Sequence, residues 1–265
     1  MKKSLINVFN QDNGVSRLTL DDENNKNALS EAMIDELTEA INAANDNKEV
    51  KVIIIASNGN VFCSGHNLKE ITAARNNNDK GESYFMNLFE LCSSLMQLIV
   101  SCSKPVIAEV DGIATAAGCQ LVASCDLAIS SSTAKFATPG VNIGLFCSTP
   151  MVALSRNVSK KEAMKMLLTG DMIDAVEAKR ISLINDYVSD DKLEESVNNL
   201  ALKISKKSSM TVKIGKEAFY KQAEMSLSDA YAYTSVVMAQ NTLNDDAKEG
   251  ISSFIEKRDP SWQDN

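Results

Sequence analysis

The sequence predicts an α/β fold followed by a helical C-terminal region, and two observations indicate it. In the first half, short runs rich in β-branched residues alternate with segments whose apolar residues recur at helical spacing. That alternation is typical of strands paired in parallel through crossover connections. From about Lys161 onward the patterns are almost entirely helical. We therefore predict an α/β core over residues 1–205 and a helical region over residues 206–265.

The predicted strands and helices alternate through the first hundred residues. Residues 1–8 begin a strand, and Val15–Leu20 alternates apolar and polar residues. Residues 50–56 are almost continuously apolar and β-branched, as in a strand that is buried on both faces. Between these strands, Ser30 is the predicted N-cap of a helix whose apolar residues recur at helical spacing up to Ala44.

The alternation continues before the helices take over. An amphipathic helix is predicted over residues 85–99, a strand over 105–110, and a closely packed helix within the small-residue segment 114–125. Short strands follow around residues 127–130 and Phe136. Helical segments are then predicted at residues 161–170, 174–180, 193–204, 226–243 and 249–260.

Charge and composition exclude several classes of function. A net charge of −8 argues against nucleic-acid binding, which needs a basic surface, and offers no polybasic patch to a membrane. No apolar run approaches the ~18 residues of a membrane span, and no targeting pattern is recognised, so we expect a cytoplasmic protein. No G-x-G-x-x-G follows a strand, which disfavours a dinucleotide-dependent enzyme.

The cysteines indicate buried thiols rather than a metal centre. They are scattered without a C-x-x-C pair, and the chain has a single histidine to join them, so we predict no metal site. In a chain of this size they are expected to be reduced packing residues. They are Cys63, Cys92, Cys102, Cys119, Cys125 and Cys147.

Two short segments suggest an anion-binding site. Residues 64–67, S-G-H-N, follow a predicted buried strand, and residues 116–118, A-A-G, open a predicted helix after another strand. Backbone N–H groups of such a loop and of a helix N-terminus can converge on one oxygen. Two such donors form an oxyanion hole, which stabilises the anion that develops during acyl chemistry. Many similar junctions bind nothing, so this pattern alone does not decide the function.

Longer motifs carry a resemblance to a known family. They are N-A-L-S at residues 27–30, V-F-C-S-G-H-N-L-K-E at 61–70, K-P-V-I-A-E-V-D-G-I-A-T-A-A-G-C-Q-L-V-A-S-C-D-L-A-I-S at 104–130, A-K-F-A-T-P-G-V-N-I-G at 134–144 and E-G-I-S-S-F-I-E-K-R-D-P-S-W at 249–262. In this order and spacing the chain resembles the enoyl-CoA hydratase/isomerase (crotonase) family over nearly its whole length. It looks most like the subgroup of enoyl-CoA hydratase domain-containing proteins.

The resemblance implies a crotonase-like ββα spiral core with a C-terminal helical trimerisation region. It also implies a homotrimer or a dimer of trimers that acts on an acyl-CoA thioester in fatty acid metabolism. No cofactor would be bound permanently, since coenzyme A enters as part of the substrate. The oxyanion donors would be the N–H groups of His66 and Ala117, with Gly118 beside the second. Glycine at positions 65 and 118 would permit unusual backbone angles and close substrate approach.

The same resemblance implies a set of residues that contact coenzyme A. They belong to the loop after the second predicted strand, to the segment around the first donor, and to the last helix, whose basic residue would approach the adenine nucleotide. They are Lys26, Ala28, Leu29, Ser64, Gly65, Asn67, Leu68 and Lys257.

The sequence departs from the family at both positions of the usual acid/base pair. Hydratases of the family carry one glutamate where this chain has Gln120 and another where it has Gly140. Glutamine cannot ionise and glycine has no side chain, so the machinery that hydrates an enoyl-CoA is absent. Glu109 and Asp111, which precede the second donor segment, are interpreted as structural.

Two other side chains are candidates for the chemistry. The ring of His66 would project beside the thioester oxygen, as in the methylmalonyl-CoA decarboxylase branch, whose loop is similar. The thiol of Cys147 would lie at a helix N-terminus if that helix begins near residue 148 or 149, and its pKa would then fall. A small buried thiol is the favoured interpretation of Cys147.

Three functions therefore remain open. The leading one is an enoyl-CoA hydratase/isomerase-type lyase that uses the oxyanion hole. The second is an acyl-CoA decarboxylase or thioesterase in which His66 or Cys147 takes part. The third is a non-catalytic acyl-CoA-binding or assembly protein that kept the fold without the glutamates.

Overall fold

A six-stranded sheet forms the centre of the molecule. A computed structural model describes residues 3–264, so the first two residues of the predicted N-terminal strand lie outside the described residues. The sheet has the order β1–β2–β3–β4–β6–β9. Its strands are β1 (Ile6–Asn10), β2 (Val15–Leu20), β3 (Val52–Ser57), β4 (Val106–Val110), β6 (Leu127–Ser131) and β9 (Asp186–Val188).

Most of this sheet is parallel, as the alternating pattern predicts. β2 pairs with β3, β3 with β4, β4 with β6 and β6 with β9, all in parallel. β1 is the exception, because it forms an antiparallel hairpin with β2 through the tight turn at Gly14. The prediction of parallel pairing is therefore wrong for the edge of the sheet, where a short connection leaves no room for a crossover.

A second, smaller sheet lies beside the first. It contains β5 (Ile113–Thr115), β7 (Lys135–Ala137) and β8 (Ile173–Asp174), in the order β5–β7–β8. β5 and β7 are parallel, and β8 is antiparallel to β7. Along the chain, β4 is followed by β5 and β6 is followed by β7, so the chain passes twice from the large sheet to the small one.

Helices cover both faces of the large sheet. One face packs on α1 (Glu31–Asp46), α3 (Glu82–Ser101) and α4 (Ala117–Ser124), and the other packs on α8 (Leu193–Ser205). Ser30 caps α1, as predicted, since its side chain accepts a hydrogen bond from the Met33 N–H. Four shorter helices complete this part, namely α2 (Leu68–Ala74), α5 (Pro150–Asn157), α6 (Lys160–Thr169) and α7 (Ala175–Arg180).

Helix α3 is long and apolar enough to cross a membrane when judged by length and composition alone. In the fold it is a packing helix, because one side contacts α1 and α4. Leu88, Cys92, Leu95, Met96 and Ile99 on that side are buried in the core. A core helix of this kind satisfies the same length and hydropathy criteria, so this feature is weak evidence for a membrane.

Three helices form the C-terminal region, namely α9 (Ser209–Gln222), α10 (Leu227–Thr242) and α11 (Asp245–Glu256). The boundary predicted near Ser205 falls at the end of α8. A buried ion pair attaches α9 to the core, because Lys216 Nζ lies 2.7 Å from Asp126 Oδ2 and the Tyr220 hydroxyl donates to Oδ1. These bonds, with a third from the Val106 N–H, account for Asp126 as a structural residue.

Candidate functional site

The loop at residues 64–66 lies directly against the start of α4. A Cβ placed on Gly65 would stand 2.8 Å from Ala116 Cβ and 3.2 Å from the Ala117 nitrogen. Gly65 has φ of +89°, a conformation that L-residues rarely adopt. Glycine at this position therefore meets two requirements, a left-handed backbone and an approach to the helix that leaves no room for a side chain.

Gly118 meets only the second of these requirements. A Cβ on Gly118 would lie far inside the van der Waals radius of the Cys63 carbonyl oxygen, whereas its φ is not positive. The strand-like segment at Cys63 pairs with β5, through hydrogen bonds from the Cys63 N–H to Ile113 and from the Thr115 N–H to Cys63. These contacts hold the loop and the helix start together.

The unusual backbone angle that sequence reasoning expected at Gly118 is found at Ala116. Ala116, the N-cap of α4, has φ of +52° and ψ of −118°. This region favours glycine, and a non-glycine residue there is strained by about 1–3 kcal/mol. A hydrogen bond of 3.0 Å from the Ala116 N–H to the Ala137 carbonyl fixes the residue to the end of β7.

The two predicted donors are unpaired among residues 3–264. Neither the His66 N–H nor the Ala117 N–H donates to a protein acceptor in the described part of the chain. Ala117 is the first residue of α4, where backbone N–H groups have no intrahelical partner. The close contact of Gly65 with Ala117 brings both N–H groups to the same end of α4.

The first predicted coenzyme A loop lies beside the first donor. The Leu29 N–H donates to the Gly65 carbonyl at 2.8 Å, and the Ser64 N–H donates to the Lys26 carbonyl at 3.2 Å. Lys26 is exposed and ends a short 3₁₀ turn, whereas Ala28 and Leu29 are buried. The backbone of residues 26–29 therefore lies directly against that of residues 64–65.

The His66 side chain has one paired and one unpaired nitrogen. Nδ1 lies 3.3 Å from the Leu29 carbonyl oxygen, which only accepts, so Nδ1 carries the proton. Nε2 is buried and has no partner in the described structure. Burial lowers the pKa of His66, against the opposing effect of the Leu29 hydrogen bond. The neutral ring thus keeps a free lone pair on Nε2. The ring also packs against Phe89 in a T-shaped arrangement, with ring centroids 5.4 Å apart.

Two further polar side chains near the start of α4 have buried atoms without partners. Gln120 lies one turn into α4 and is 4% exposed, and its Oε1 has no hydrogen-bond partner. Thr138 follows the end of β7 and is fully buried, and its hydroxyl also has no partner. Buried groups of this kind are rare in folded proteins, and each needs a physical explanation.

Position 140 is closed by Cys147. A Cβ on Gly140 would lie 2.9 Å from Cys147 Sγ and 2.7 Å from the Leu145 carbonyl oxygen. The Gly140 N–H donates to Cys147 Sγ at 3.3 Å. The sulfur therefore occupies the space into which a longer side chain at position 140 would project.

Cys147 is a small buried thiol, as the favoured interpretation of the sequence has it. Helix α5 begins at Pro150 with Thr149 as its N-cap, close to the predicted start. Burial raises the pKa of the Cys147 thiol, although the Gly140 N–H acts in the opposite direction. The alternative of a thiol with a lowered pKa is not found, because desolvation of the thiolate outweighs the hydrogen bond. All six cysteines are free and buried, as predicted.

Comparison with known proteins assigns the chain to a family. The family model described as enoyl-CoA hydratase/isomerase matches residues 10–265. The chain belongs to the enoyl-CoA hydratase/isomerase family. The resemblance inferred from the motifs is therefore confirmed, and so is the predicted crotonase fold.

Relatives and solved structures agree with this assignment. The chain is 48% identical to enoyl-CoA hydratase domain-containing protein 3, mitochondrial, of Xenopus laevis, over 97% of this chain and 86% of that protein. The human protein of the same name is 45% identical, over 94% and 80% respectively. The crystal structure of an enoyl-CoA hydratase from Mycobacterium smegmatis has a TM-score of 0.93 at 43% identity, over 98% of this chain and 99% of that one.

A solved structure also represents the subgroup. The crystal structure of human enoyl Coenzyme A hydratase domain-containing protein 3 has a TM-score of 0.92 at 44% identity, over 97% of this chain and all of that one. The relatives of this subgroup from Xenopus laevis, Rattus norvegicus and Homo sapiens are named as mitochondrial. This finding overturns the expectation of a cytoplasmic location.

The two acidic residues that precede the second donor segment lie outside the candidate site. Glu109 forms a bidentate ion pair with Arg17, at 2.7 and 2.8 Å, and packs on the α8 side of the sheet. Asp111 is exposed in the turn before β5. Both therefore remain interpreted as structural. No group of three or more potential metal ligands exists within residues 3–264.

Lys257 is not brought to the other predicted residues within this chain. It ends α11, with φ of +55°, and no hydrogen bond or ion pair of the described residues joins its side chain to the loops at 26–29 or 64–68. Helix α11 packs on α9 and α10. A role toward the adenine nucleotide stays a prediction.

A cavity of about 620 Å³ lies away from these residues. It is lined by the end of α1, the start of β4, α9 and the C-terminal segment, with lysines and carboxylates interspersed. None of the predicted site residues contributes to it, and the mixed charges favour no particular ligand. The candidate site therefore remains at the start of α4.

Sequence reasoning missed Thr138 and Phe89. Thr138 precedes Pro139 and Gly140, where the second glutamate of the hydratases is missing. Only its buried hydroxyl without a hydrogen-bond partner distinguishes Thr138. Phe89 was recognised as part of an amphipathic helix, and its contact with His66 depends on a tertiary approach of α3. Nothing in the local spacing of either residue signals its position.

Proposed function

We propose that this protein binds an acyl-CoA thioester and holds the thioester oxygen between the N–H groups of His66 and Ala117. The observation that carries the proposal is the pair of unpaired donors brought to one end of α4 by the contact of Gly65 with Ala117. The loop at residues 26–29, which lies beside the first donor, offers a surface for coenzyme A.

Such a hole stabilises negative charge as it develops on the oxygen of an enolate or a tetrahedral intermediate. Each donor of this kind is worth roughly 10²–10³ in rate. The position of Ala117 at a helix N-terminus adds the favourable dipole of α4. We therefore propose an enolate-stabilising enzyme of the enoyl-CoA hydratase/isomerase type.

The proposal excludes hydration by a pair of carboxylates. Gln120 stands where the first glutamate of the hydratases is expected, and an amide cannot transfer a proton as an acid or a base. Position 140 has no room for the second, because Cys147 Sγ and the Leu145 carbonyl lie against it. Any proton transfer in the reaction must therefore use another group, unless the reaction requires no proton transfer.

A matched pair of ligands tests the hole. Butyryl-CoA has the carbonyl oxygen, whereas S-butyl-CoA, a thioether, lacks it and keeps the rest of the molecule. We expect calorimetry to show about thirtyfold tighter binding of butyryl-CoA, since two hydrogen bonds with a net contribution of about 1 kcal/mol each add to about 2 kcal/mol. Equal affinities for the two ligands would contradict the hole, and failure of both to bind would contradict the whole proposal.

We also propose that the protein assembles as a homotrimer or a dimer of trimers. The C-terminal helices expose large apolar side chains, and surfaces of this kind mark protein interfaces. They include Phe219, Leu227, Tyr231, Val236, Met238, Leu243, Phe254 and Ile255. Light scattering checks the mass, and a monomer at micromolar concentration would contradict the assembly.

Thioester hydrolysis is a second candidate, favoured by the free Nε2 of His66. In this reaction Nε2 accepts a proton from water, whose oxygen attacks the thioester carbon. The oxyanion collapses, the carbon–sulfur bond breaks, and the coenzyme A sulfur takes the proton, leaving a carboxylic acid. Thiol release from an acyl-CoA panel measures it.

The two candidates are separated by a His66→Gln variant, which keeps the backbone donor and removes the base. Loss of thiol release with unchanged binding of butyryl-CoA would support hydrolysis by the ring. Absence of thiol release by the wild-type protein from every acyl-CoA would exclude it and leave the first proposal.

A further inference from the structure

Asn27 is a fully buried polar residue beside the predicted coenzyme A contacts. It opens the N-A-L-S motif and lies between Lys26 and Ala28. Each polar atom of its side chain has a hydrogen-bond partner within the protein. A buried amide whose hydrogen bonds are all satisfied makes the segments that it joins rigid relative to one another.

The Asn27 amide joins three places in the chain. Its Nδ2 donates to the carbonyl oxygens of Asn58, at 2.9 Å, and Val61, at 2.7 Å. Its Oδ1 accepts from the Asp22 N–H at 2.8 Å. The chain runs from Val61 directly into residues 64–66, which are called the donor loop below. Asn27 therefore fixes the chain just before the first oxyanion donor.

The backbone explains why this residue is an asparagine. Lys26 has φ of +58° and Asn27 has φ of +49°, so two successive residues adopt the left-handed conformation. Asparagine tolerates this conformation better than most residues that carry a side chain. Glycine and aspartate also adopt it, but neither supplies the two side-chain N–H donors that Asn27 uses.

The backbone on both sides of this amide holds the donor loop through three hydrogen bonds. The Ser64 N–H donates to the Lys26 carbonyl at 3.2 Å, and the Leu29 N–H donates to the Gly65 carbonyl at 2.8 Å. The third bond joins His66 Nδ1 to the Leu29 carbonyl at 3.3 Å. Every residue of the donor loop is thus bonded to this segment.

The segment has few other anchors. The backbone N–H groups of residues 26–28 donate only to carbonyls of residues 22–25. Within the described residues 3–264, the two bonds from Asn27 Nδ2 are the hydrogen bonds that connect residues 26–28 to a distant part of the chain other than the donor loop. On the opposite side, hydrogen bonds from β5 reach the donor loop only as far as Ser64. The position of His66 therefore depends on the segment that Asn27 anchors.

We propose that Asn27 is a positioning residue for the first oxyanion donor, and that it acts through residues 26–29 on the His66 N–H. This inference rests on the proposed binding of a thioester oxygen. The amide is fully buried, so it acts only through the backbone that it holds. Without it, the His66 N–H would lose its alignment, and Ala117 would remain as the second donor.

Asn27→Asp tests the inference, because it keeps the size, the acceptor and the tolerance of positive φ while it removes both side-chain N–H donors. Calorimetry should show that the preference for butyryl-CoA over S-butyl-CoA falls from about thirtyfold to about fivefold, since one donor remains. Both ligands should also bind more weakly, because residues 26–29 belong to the proposed coenzyme A surface. A merely structural defect would weaken both ligands equally and leave their ratio unchanged.

Asn27→Gly is a second variant, and it places no carboxylate against the two carbonyl oxygens. It keeps the positive φ, so the same fall to about fivefold is expected if the charged variant does not fold. Hydrogen exchange gives an independent readout. In either variant the peptide at residues 61–68 should exchange about tenfold faster, whereas exchange in β3 should not change.

Asn157→Asp is the matched control. Asn157 Nδ2 also donates to two backbone carbonyls, those of Ala123 at 2.7 Å and Ala153 at 2.8 Å, and Ala123 lies at the opposite end of α4 from the donors. This variant should keep the full preference for butyryl-CoA. The inference is overturned if the control loses the preference as well, or if the Asn27 variants keep it.

The wild-type protein separates this inference from the proposed function. If it prefers butyryl-CoA and the Asn27 variants keep that preference, the oxyanion hole stands and Asn27 does not position its donor. If the wild-type protein binds butyryl-CoA and S-butyl-CoA equally, the hole and its positioning residue fall together.

Discussion

The two halves of the candidate site differ in what they retain. The donor half, from Gly65 to Gly118, is held by close backbone contacts and one strained residue, Ala116. The other half has Gln120 and Gly140 in place of carboxylate-bearing residues, and Cys147 fills the space at position 140. Under the proposed function, one half supplies donors for a thioester oxygen, whereas the other supplies no acid/base pair to hydrate an enoyl-CoA.

Under the proposed function, binding an anion and transferring a proton depend on separate parts of the candidate site. The donor half is made of backbone, so its function depends on the fold and on small residues that permit close approach. The other half depends on side-chain identity, and a few substitutions remove its chemistry without disturbing the fold.

The largest expected effect is on stability, and it comes from substituting Glu109. The same substitution tests whether this carboxylate outside the site replaces the two missing glutamates. Glu109→Gln should destabilise the protein by about 3 kcal/mol, because it leaves the largely buried Arg17 guanidinium with only the exposed Glu194 carboxylate, 4.0 Å away, as a counter-charge. Denaturant unfolding measures the loss. Binding of butyryl-CoA by the folded fraction should not change.

The matched control is Glu194→Gln, which removes the exposed carboxylate that lies 4.0 Å from the same Arg17. That change should cost less than about 1 kcal/mol, as is usual for exposed pairs. Weakened ligand binding by the folded Glu109→Gln protein would place Glu109 in the site and break the division between the two halves.

The next effect concerns close packing in the donor half. Gly118→Ala should cost about 3 kcal/mol, at the upper end for overpacking, because the added methyl meets the rigid Cys63 carbonyl. It should also abolish the preference for butyryl-CoA over S-butyl-CoA. Unfolding curves and calorimetry on the same preparation measure both.

Gly215→Ala provides the comparison for a helical glycine. Gly215 lies on α9, where an added Cβ would meet nothing within 4 Å. Alanine there should stabilise the protein by about 0.5–1 kcal/mol, since it restricts the unfolded chain. If both substitutions had the same effect, close approach at Gly118 would not be the cause.

A smaller effect comes from strain at the start of α4. Ala116→Gly should stabilise the protein by about 1 kcal/mol, because relief of the positive φ exceeds the added entropy of the unfolded chain. Ala43→Gly, on the exposed side of the last turn of α1, should instead destabilise by up to about 1 kcal/mol. Thermal unfolding of the two variants distinguishes them, and a loss of stability in both would contradict strain at Ala116.

The smallest effect is the pH dependence due to His66. Burial lowers its pKa, so the unfolded chain binds more protons than the folded protein as the pH falls below the ordinary value of 6.5. Stability should therefore decrease from pH 7 toward pH 5.5, above the range where carboxylates titrate. His66→Asn should flatten this slope, because the chain has no other histidine.

The sequence predicted most of the fold because its signals are local. Val15–Leu20 is a strand and Ser30 caps α1, as the pattern and the cap residue indicate. α9 was not identified, because Gly215 and several β-branched residues weaken its helical pattern. The antiparallel edges at β1 and β8 depend on connections that periodicity does not describe.

The family motifs located the candidate site in the sequence. Its backbone strain, its pKa shifts and its unpartnered polar atoms are seen only in the structure. The strain at Ala116 has no sequence signal, since alanine usually avoids positive φ. The pKa of Cys147 depends on how strongly burial disfavours the thiolate, which the local sequence does not show. The unpartnered atoms of Gln120 and Thr138 emerge only when every neighbour is placed.

The most direct test of the divided site is a crotonyl-CoA hydration assay on a preparation whose binding of butyryl-CoA has been measured. The loss of the conjugated thioester absorbance reports turnover. We predict saturable binding that depends on the carbonyl oxygen, with no hydration above the uncatalysed rate. Sustained hydration by the wild-type protein would contradict the account, because it would require an acid/base pair that Gln120 and Gly140 do not supply.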